Sequence, residues 1–185
     1  MIEDILADSS TRMGKTIDAF KRDLATVRTG RAAPALVENI KIDYYGAPTP
    51  LKQMATITAP EARLLVIQPW DNTTIGEIKK AIQKSELGLN PSSDGHLIRL
   101  SIPPLSEERR KDMVKSVHKK AEDCRIALRN IRRDAIEMLR DMEKEKEISQ
   151  DDQKRAQDRL QEITDSFVEE AGELAKVKEA ELLQV

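Results

Sequence analysis

Apolar residues recur at helical spacing at both ends of the chain and at strand spacing in its middle, so the sequence divides by a change of period. Near the start, Leu6, Met13, Ile17, Phe20, Leu24 and Val27 form one seam spaced by threes, fours and a heptad. Gly30 offers a C-terminal cap for this first helix, and Pro34 forbids its continuation.

From about residue 36 to 102 the period shortens. Ile40, Ile42 and Tyr44 alternate with Lys41 and Asp43, a strand pattern. Gly46-Ala47-Pro48-Thr49-Pro50 reads as a turn or loop from its glycine and proline content. Met54 to Thr58 and Leu64 to Gln68 predict further strands, and Ile98, Leu100 and Ile102 a last one before Pro103-Pro104. Between them lies a short helix capped by Asp71 or Thr73, with Ile75, Ile78, Ala81 and Ile82 on one face. Gly88 stops it, and Leu89 is placed for the apolar contact that accompanies a glycine cap.

Helical periodicity returns after Ser106, a predicted N-cap followed by Glu107 and Glu108, where the helix dipole favours acids. Met113, Val117, Ala121, Cys124, Leu128, Ile131, Ala135, Met138 and Met142 then hold 4-4-3-4-3-4-3-4 spacing. That predicts about 60 Å of helix at 1.5 Å per residue. Ser149 and Asp152 resemble a capping box and open a final helix, with Ala156, Leu160, Ile163, Phe167, Ala171, Leu174 and Val177 on its seam.

One amphipathic helix cannot bury its stripe alone, so the first helix must pack against the two at the other end of the chain. The sequence therefore predicts an α+β protein. An elongated antiparallel three-helix bundle is drawn from residues 1–29 and 106–185, with a small α/β domain, 31–104, inserted in it. The connections lie near residue 30 and at 104–105, and Gly30, Pro103, Pro104 and Leu105 suit a hinge.

Composition narrows the functional classes. Charged residues make up 35% and aromatics 3%, at a net charge of −2. Such a balance argues against attraction of polyanions by the whole surface and requires a local patch instead. The single cysteine, Cys124, excludes an intramolecular disulfide. Met1-Ile2-Glu3-Asp4 has acids where a signal or transit peptide has bases, and no apolar run approaches the length of a membrane span. The expected location is the cytoplasm, with no membrane partner.

Candidate chemistry is sparse. His96 and His118 fall in different domains without partners at metal-ligand spacing, Cys124 sits on a seam, and no glycine-rich phosphate loop or nucleophile elbow occurs. No catalytic residue, metal or cofactor is expected, and the chain reads as a non-enzyme. Tyr44, Tyr45 and Trp70 could stack on bases, but strand and turn packing accounts for them more simply.

Arginines supply the stronger signal. Arg125, Arg129 and Arg132 follow at i, i+4 and i+7 on the long helix, with Arg133 adjacent. Three and four residues to either side, Arg129 and Arg132 have no acid, whereas Arg125 has Glu122 and Arg133 has Glu137. Clustered arginines without local acids call for an external anion or an acid from another helix, and the planar guanidinium suits phosphate. Arg28 and Arg31 flank Gly30; basic residues there complement the negative end of the first helix, but Arg31 lies beyond the Gly30 cap, which favours a mixed role in anion binding and hinge geometry.

Several blocks of the chain carry a family resemblance. They are Arg28-Thr29-Gly30-Arg31-Ala32, Asp43-Tyr44-Tyr45-Gly46-Ala47-Pro48-Thr49-Pro50-Leu51, Ile67-Gln68-Pro69-Trp70-Asp71, Leu87-Gly88-Leu89-Asn90-Pro91, Pro103 to Lys111, and Arg129 to Asp134. With these blocks, in this order, the whole chain resembles the ribosome recycling factors of bacteria. The resemblance implies an L-shaped, tRNA-like monomer that binds the post-termination 70S ribosome and, with GTP-bound elongation factor G, separates its subunits. It further implies that Arg129, Arg132, Arg133, Arg125, Arg28 and Arg31 contact large-subunit rRNA. The small domain, with its loop from Tyr44 to Pro50, would face elongation factor G. A coiled-coil adaptor and a small RNA-modifying enzyme are the competing readings of the residues alone.

Overall fold

The computed structural model describes residues 1–184 and resolves two compact units. One comprises Met1–Leu24 with the chain from Asp112 onward; the other is Ala25–Lys111. Among the described residues no helix is long and apolar enough to cross a membrane.

The first unit is a three-helix bundle of α1 (Ile2–Ala25), α3 (Glu107–Lys144, from Asp112 on) and α4 (Gln150–Leu183). Cross-helix pairs set the directions. Arg12 meets Asp134; Glu3 and Lys21 meet Arg159 and Glu170; His118 and Arg132 meet Glu179 and Gln161. Residue numbers rise together between α1 and α4 and oppose between α3 and α4. The bundle thus runs up, down, up. Ser106 caps α3 by accepting from the Arg109 N–H (3.2 Å), and Ser149 caps α4 by accepting from the Asp152 N–H (3.0 Å). The Ser149 hydroxyl also donates to Asp152 Oδ2 at 2.7 Å, which pulls that carboxyl below its ordinary range.

Its core is lined by Leu6, Met13, Ile17, Phe20 and Leu24 of α1, by Val117, Leu128 and Leu139 of α3, and by Leu160 and Leu182 of α4. Alanines at 121, 135, 156, 171 and 175 are buried as well. Ser9 and Thr164 are buried too, and each returns its hydroxyl to the carbonyl four residues back, Ile5 and Leu160.

Two seams depart from the predicted heptads. Met138 and Val177 are largely exposed, while Leu139 is buried and Lys178 is mostly covered. On α4 the inward face shifts early, Thr164 and Ala175 being buried where Ile163 and Leu174 are only half-buried, and on α3 the failure at Met138 falls 21 residues beyond Val117. At about 100° per residue a straight helix has lagged roughly 60° by then, and position 22 faces the core better. The first helix also ends earlier than predicted, at Ala25, so Gly30 (φ +81°) shapes the linker instead of capping the helix.

The second unit packs a four-stranded antiparallel sheet, a hairpin and α2 (Ile75–Lys84) around one core. The sheet contains β3 (Ala55–Glu61), β4 (Leu64–Pro69), β5 (Pro91–Ser93) and β6 (Ile98–Ser101) in the order β3-β4-β6-β5. Leu65, Ile67, Ile98 and Leu100 point to the same side as Ile78 and Ile82 of α2, and all six are fully buried. Asp71 opens the segment leading into α2, accepting from the Thr73 N–H at 3.0 Å and its hydroxyl at 2.7 Å.

The stretch predicted as a loop at 46–50 contains a strand. Ala47–Pro50 forms β2 and pairs with β1 (Lys41–Tyr44) around a two-residue turn. Tyr45 (φ +49°) and Gly46 (φ +82°) both take the left-handed conformation a tight hairpin needs, and Asp43 Oδ1 accepts from the Gly46 N–H. Pro48 and Pro50 lie opposite Asp43 and Lys41, alternate positions at which no ladder N–H is required. Two prolines hid this strand because their alternation fits an edge as well as a loop.

Candidate nucleic-acid interface

The arginine stripe lies entirely on α3, within the bundle. The helix positions it because Cys124, Leu128, Ile131 and Ala135 turn inward, which leaves 125, 129, 132 and 133 on the flank. Arg129 and Arg133 are exposed; Arg125 and Arg132 are half-buried.

Each arginine has its own electrostatic setting, and two differ from the sequence expectation. Arg129 does have an acid on its own helix. Glu122, seven residues back, accepts from Arg129 at 3.3 Å while its other oxygen accepts from Arg125, also at 3.3 Å. Two helical turns span only about 10 Å, which two long side chains cover, so a search limited to the adjacent turn misses the pair. Arg133 differs in the opposite sense: its expected partner Glu137 forms no ion pair with it, and among the described residues Arg133 has no partner.

Arg132 donates to Gln161 Oε1 of α4 at 2.9 Å, and Gln161 donates in turn to Asp165 at 2.7 Å. An amide therefore orients Arg132 without neutralising it. With Arg129, Asn130, Arg133, Ile136, Glu137 and Arg140, Arg132 lines an open hollow of about 410 Å³. Four guanidiniums face this space against one carboxylate.

Arg140 was not picked out by sequence. Its position seven residues beyond Arg133 was the available signal, masked by Glu137 and Glu143 at ±3. Neither pairs with it among the described residues.

The structure does not bring Arg28 and Arg31 to this hollow; both lie in the second unit. Arg28 donates to the backbone carbonyls of Leu87 and Pro103, and Arg31 is exposed. The predicted hinge residues Gly30, Pro103, Pro104 and Leu105 fall in the same unit. Tyr44 packs against the core of the small unit and meets Tyr45 edge-on at 4.6 Å, and Trp70 donates to the Thr56 hydroxyl at 3.2 Å, although Tyr45 and Trp70 remain 85% and 68% exposed. Cys124 is buried, which raises its thiol pKa and disfavours a nucleophilic thiolate. His118 meets Glu179 across α3 and α4 at 3.1 Å. Among the described residues no group of three or more His, Cys, Asp or Glu is placed to hold a metal ion.

A cluster of guanidiniums on a rigid helix, with one of them held by an amide, fits the phosphate groups of a structured nucleic acid. Comparison with known proteins decides the family. The family model described as "Ribosome recycling factor" matches residues 20–183. The chain belongs to the ribosome recycling factor family.

Among its relatives, the ribosome-recycling factor of Syntrophomonas wolfei is 56% identical over the full length of both chains, and that of Thermomicrobium roseum 51% identical, again over both entire chains. A solution structure of a ribosome recycling factor superposes with a TM-score of 0.81 at 44% identity, covering 100% of this chain and 98% of its own. A second solved neighbour has a TM-score of 0.70 and 47% identity, with both chains fully covered. It belongs to models of the T. thermophilus ribosome recycling factor and the E. coli elongation factor G bound to the E. coli post-termination complex. Ribosome recycling factors thus share with this chain the bundle and the small α/β unit described above.

Proposed function

We propose that this chain is a cytoplasmic translation factor which, with elongation factor G and GTP, dissociates the post-termination ribosome into subunits without catalysing a covalent step itself. Family membership and the relative placed with elongation factor G on the post-termination complex support this reading. The observation that carries the binding mode is the hollow on α3, where Arg129, Arg132, Arg133 and Arg140 converge around one acid.

In this reading the bundle grips large-subunit rRNA through arginine–phosphate contacts. Arg132 is the pre-oriented donor; Arg133 and Arg140 supply charge already free of carboxylates. Arg129 and Arg125 join after exchanging Glu122 for phosphate. Arg31 adds a contact from the second unit. The small unit passes on the splitting motion, and the connections around Gly30 and Pro103 to Leu105 are where the two units flex.

The decisive assay is subunit splitting of post-termination ribosomes with and without elongation factor G and GTP. Splitting that requires the chain supports the proposal; intact 70S particles with every component present sink it. Arg132→Gln tests the grip. Losing one phosphate contact is expected to weaken ribosome binding about ten-fold or more and to flatten the dependence of log affinity on log salt by roughly 0.7–0.9. Equal affinity and slope in the variant would remove Arg132 from the interface.

A further inference from the structure

Arg28 follows α1 by three residues, in the first of the two connections between the bundle and the inserted segment. Its guanidinium is directed at the protein's own backbone. Nη1 donates to the Leu87 carbonyl at 3.2 Å, and Nη2 makes a longer contact, 3.5 Å, to the carbonyl of Pro103 in the second connection. Its Nε is buried without an acceptor. A guanidinium meant for solvent or for RNA has no reason to bury an N–H in this way.

Gly30 supplies an independent observation. A Cβ built on it would lie 3.5 Å from the Leu105 backbone nitrogen. At two points two residues apart, Arg28 to Pro103 and Gly30 to Leu105, the first connection lies against the second. All five of these residues, Leu87 included, belong to the one unit Ala25–Lys111.

We infer that Arg28 is a positioning residue, a brace that locks the two connections together, and that its charge is not spent on an RNA phosphate. The planar fork of arginine can serve two separate carbonyls at once, whereas a lysine ammonium is a single point donor. Joined in this way, the two connections move as one piece. A displacement imposed on either is passed to both, and that is the use of the brace in the proposed recycling role, on which its functional assay rests.

Arg28→Lys and Arg28→Gln separate a brace from a phosphate contact, because lysine keeps the charge but not the fork. Three measurements apply to both variants, each first confirmed folded by circular dichroism at the assay temperature. They are amide hydrogen exchange over residues 29–32 and 105–106, ribosome affinity across several salt concentrations, and the splitting rate at saturating factor. A brace predicts that the two variants behave alike. Exchange in both stretches quickens on the order of ten-fold or more, the loss expected for a charge-assisted hydrogen bond, and saturated splitting slows. Affinity and its salt slope stay at the wild-type values, which a variant that merely lost folded protein could not combine with slower saturated splitting.

Unchanged exchange, or full splitting speed in both variants, overturns the brace. So does a slope reduced by about 0.7–0.9 in the glutamine variant but kept in the lysine variant, the signature of a phosphate contact. Wild-type protein that fails to split ribosomes counts against the recycling proposal alone, since the exchange measurement needs no ribosome.

Discussion

Glu122 is the acid that holds the arginine stripe in check, and replacing it with glutamine should tighten binding to the ribosome. In the free protein its two oxygens engage Arg125 and Arg129, each at 3.3 Å, and its side chain is 47% exposed. Pairs this exposed are worth about 0.2–1 kcal/mol each, screened further by salt. A phosphate that recruits Arg129 must first displace that pair. Glu122→Gln removes the competition while leaving a side chain of nearly the same shape. The gain should therefore match one weak pair, roughly 1.5- to 5-fold in affinity. Folding stability should fall by no more than about 1 kcal/mol, because the side chain is half exposed and makes only these two surface pairs among the described residues. Ribosome binding would be measured at low and at near-physiological salt, since the advantage should shrink as ions screen the original pair. Weaker binding by the glutamine variant would refute the reasoning. It would mean that Glu122 holds Arg129 in its binding orientation instead of restraining it.

Further outcomes follow from the bundle. Leu128 is fully buried on α3, so Leu128→Ala should lose about 2–5 kcal/mol in denaturant unfolding, whereas Ile126→Ala, at an exposed position, should change little. Asp152 has its pKa depressed in the folded state chiefly by the Ser149 hydroxyl. Its contribution is therefore present above the unfolded value near 4 and lost as pH falls through the lower folded value. The difference in melting temperature between wild type and Asp152→Asn should accordingly be seen at pH 7 and disappear in strong acid; a difference constant with pH would contradict it.

Much of the fold could be read from period alone, because burial of one face is a strong and repeated constraint. The α1 seam from Leu6 to Leu24 and the α3 seam from Val117 to Ala135 are buried as the spacing predicts. The end of α1 was harder to place, since Val27 is buried beyond the helix and so extends its pattern by coincidence. Strand β2 was concealed because prolines report on missing donors, which suit an edge strand and a loop equally. At the interface, Arg132 was singled out because its helical neighbours lack acids. The Glu122–Arg129 pair and the freedom of Arg133 and Arg140 were not legible. Side-chain reach over two turns, and the choice of an acid between two arginines, depend on rotamers that spacing does not specify.

The drift that exposes Met138 and Val177 has a bearing on which helices this one can accept as neighbours. From Val117 to Leu139 on α3, and from Leu160 to Leu182 on α4, a buried position recurs after 22 residues, twice the eleven-residue period of helices that do not coil left-handed. Both helices show this 22-residue recurrence. A foreign helix built on strict heptads would slip by about 20° per heptad and meet polar side chains after three. A strictly heptad helix is therefore expected to pack less well on this face than the bundle's own helices do.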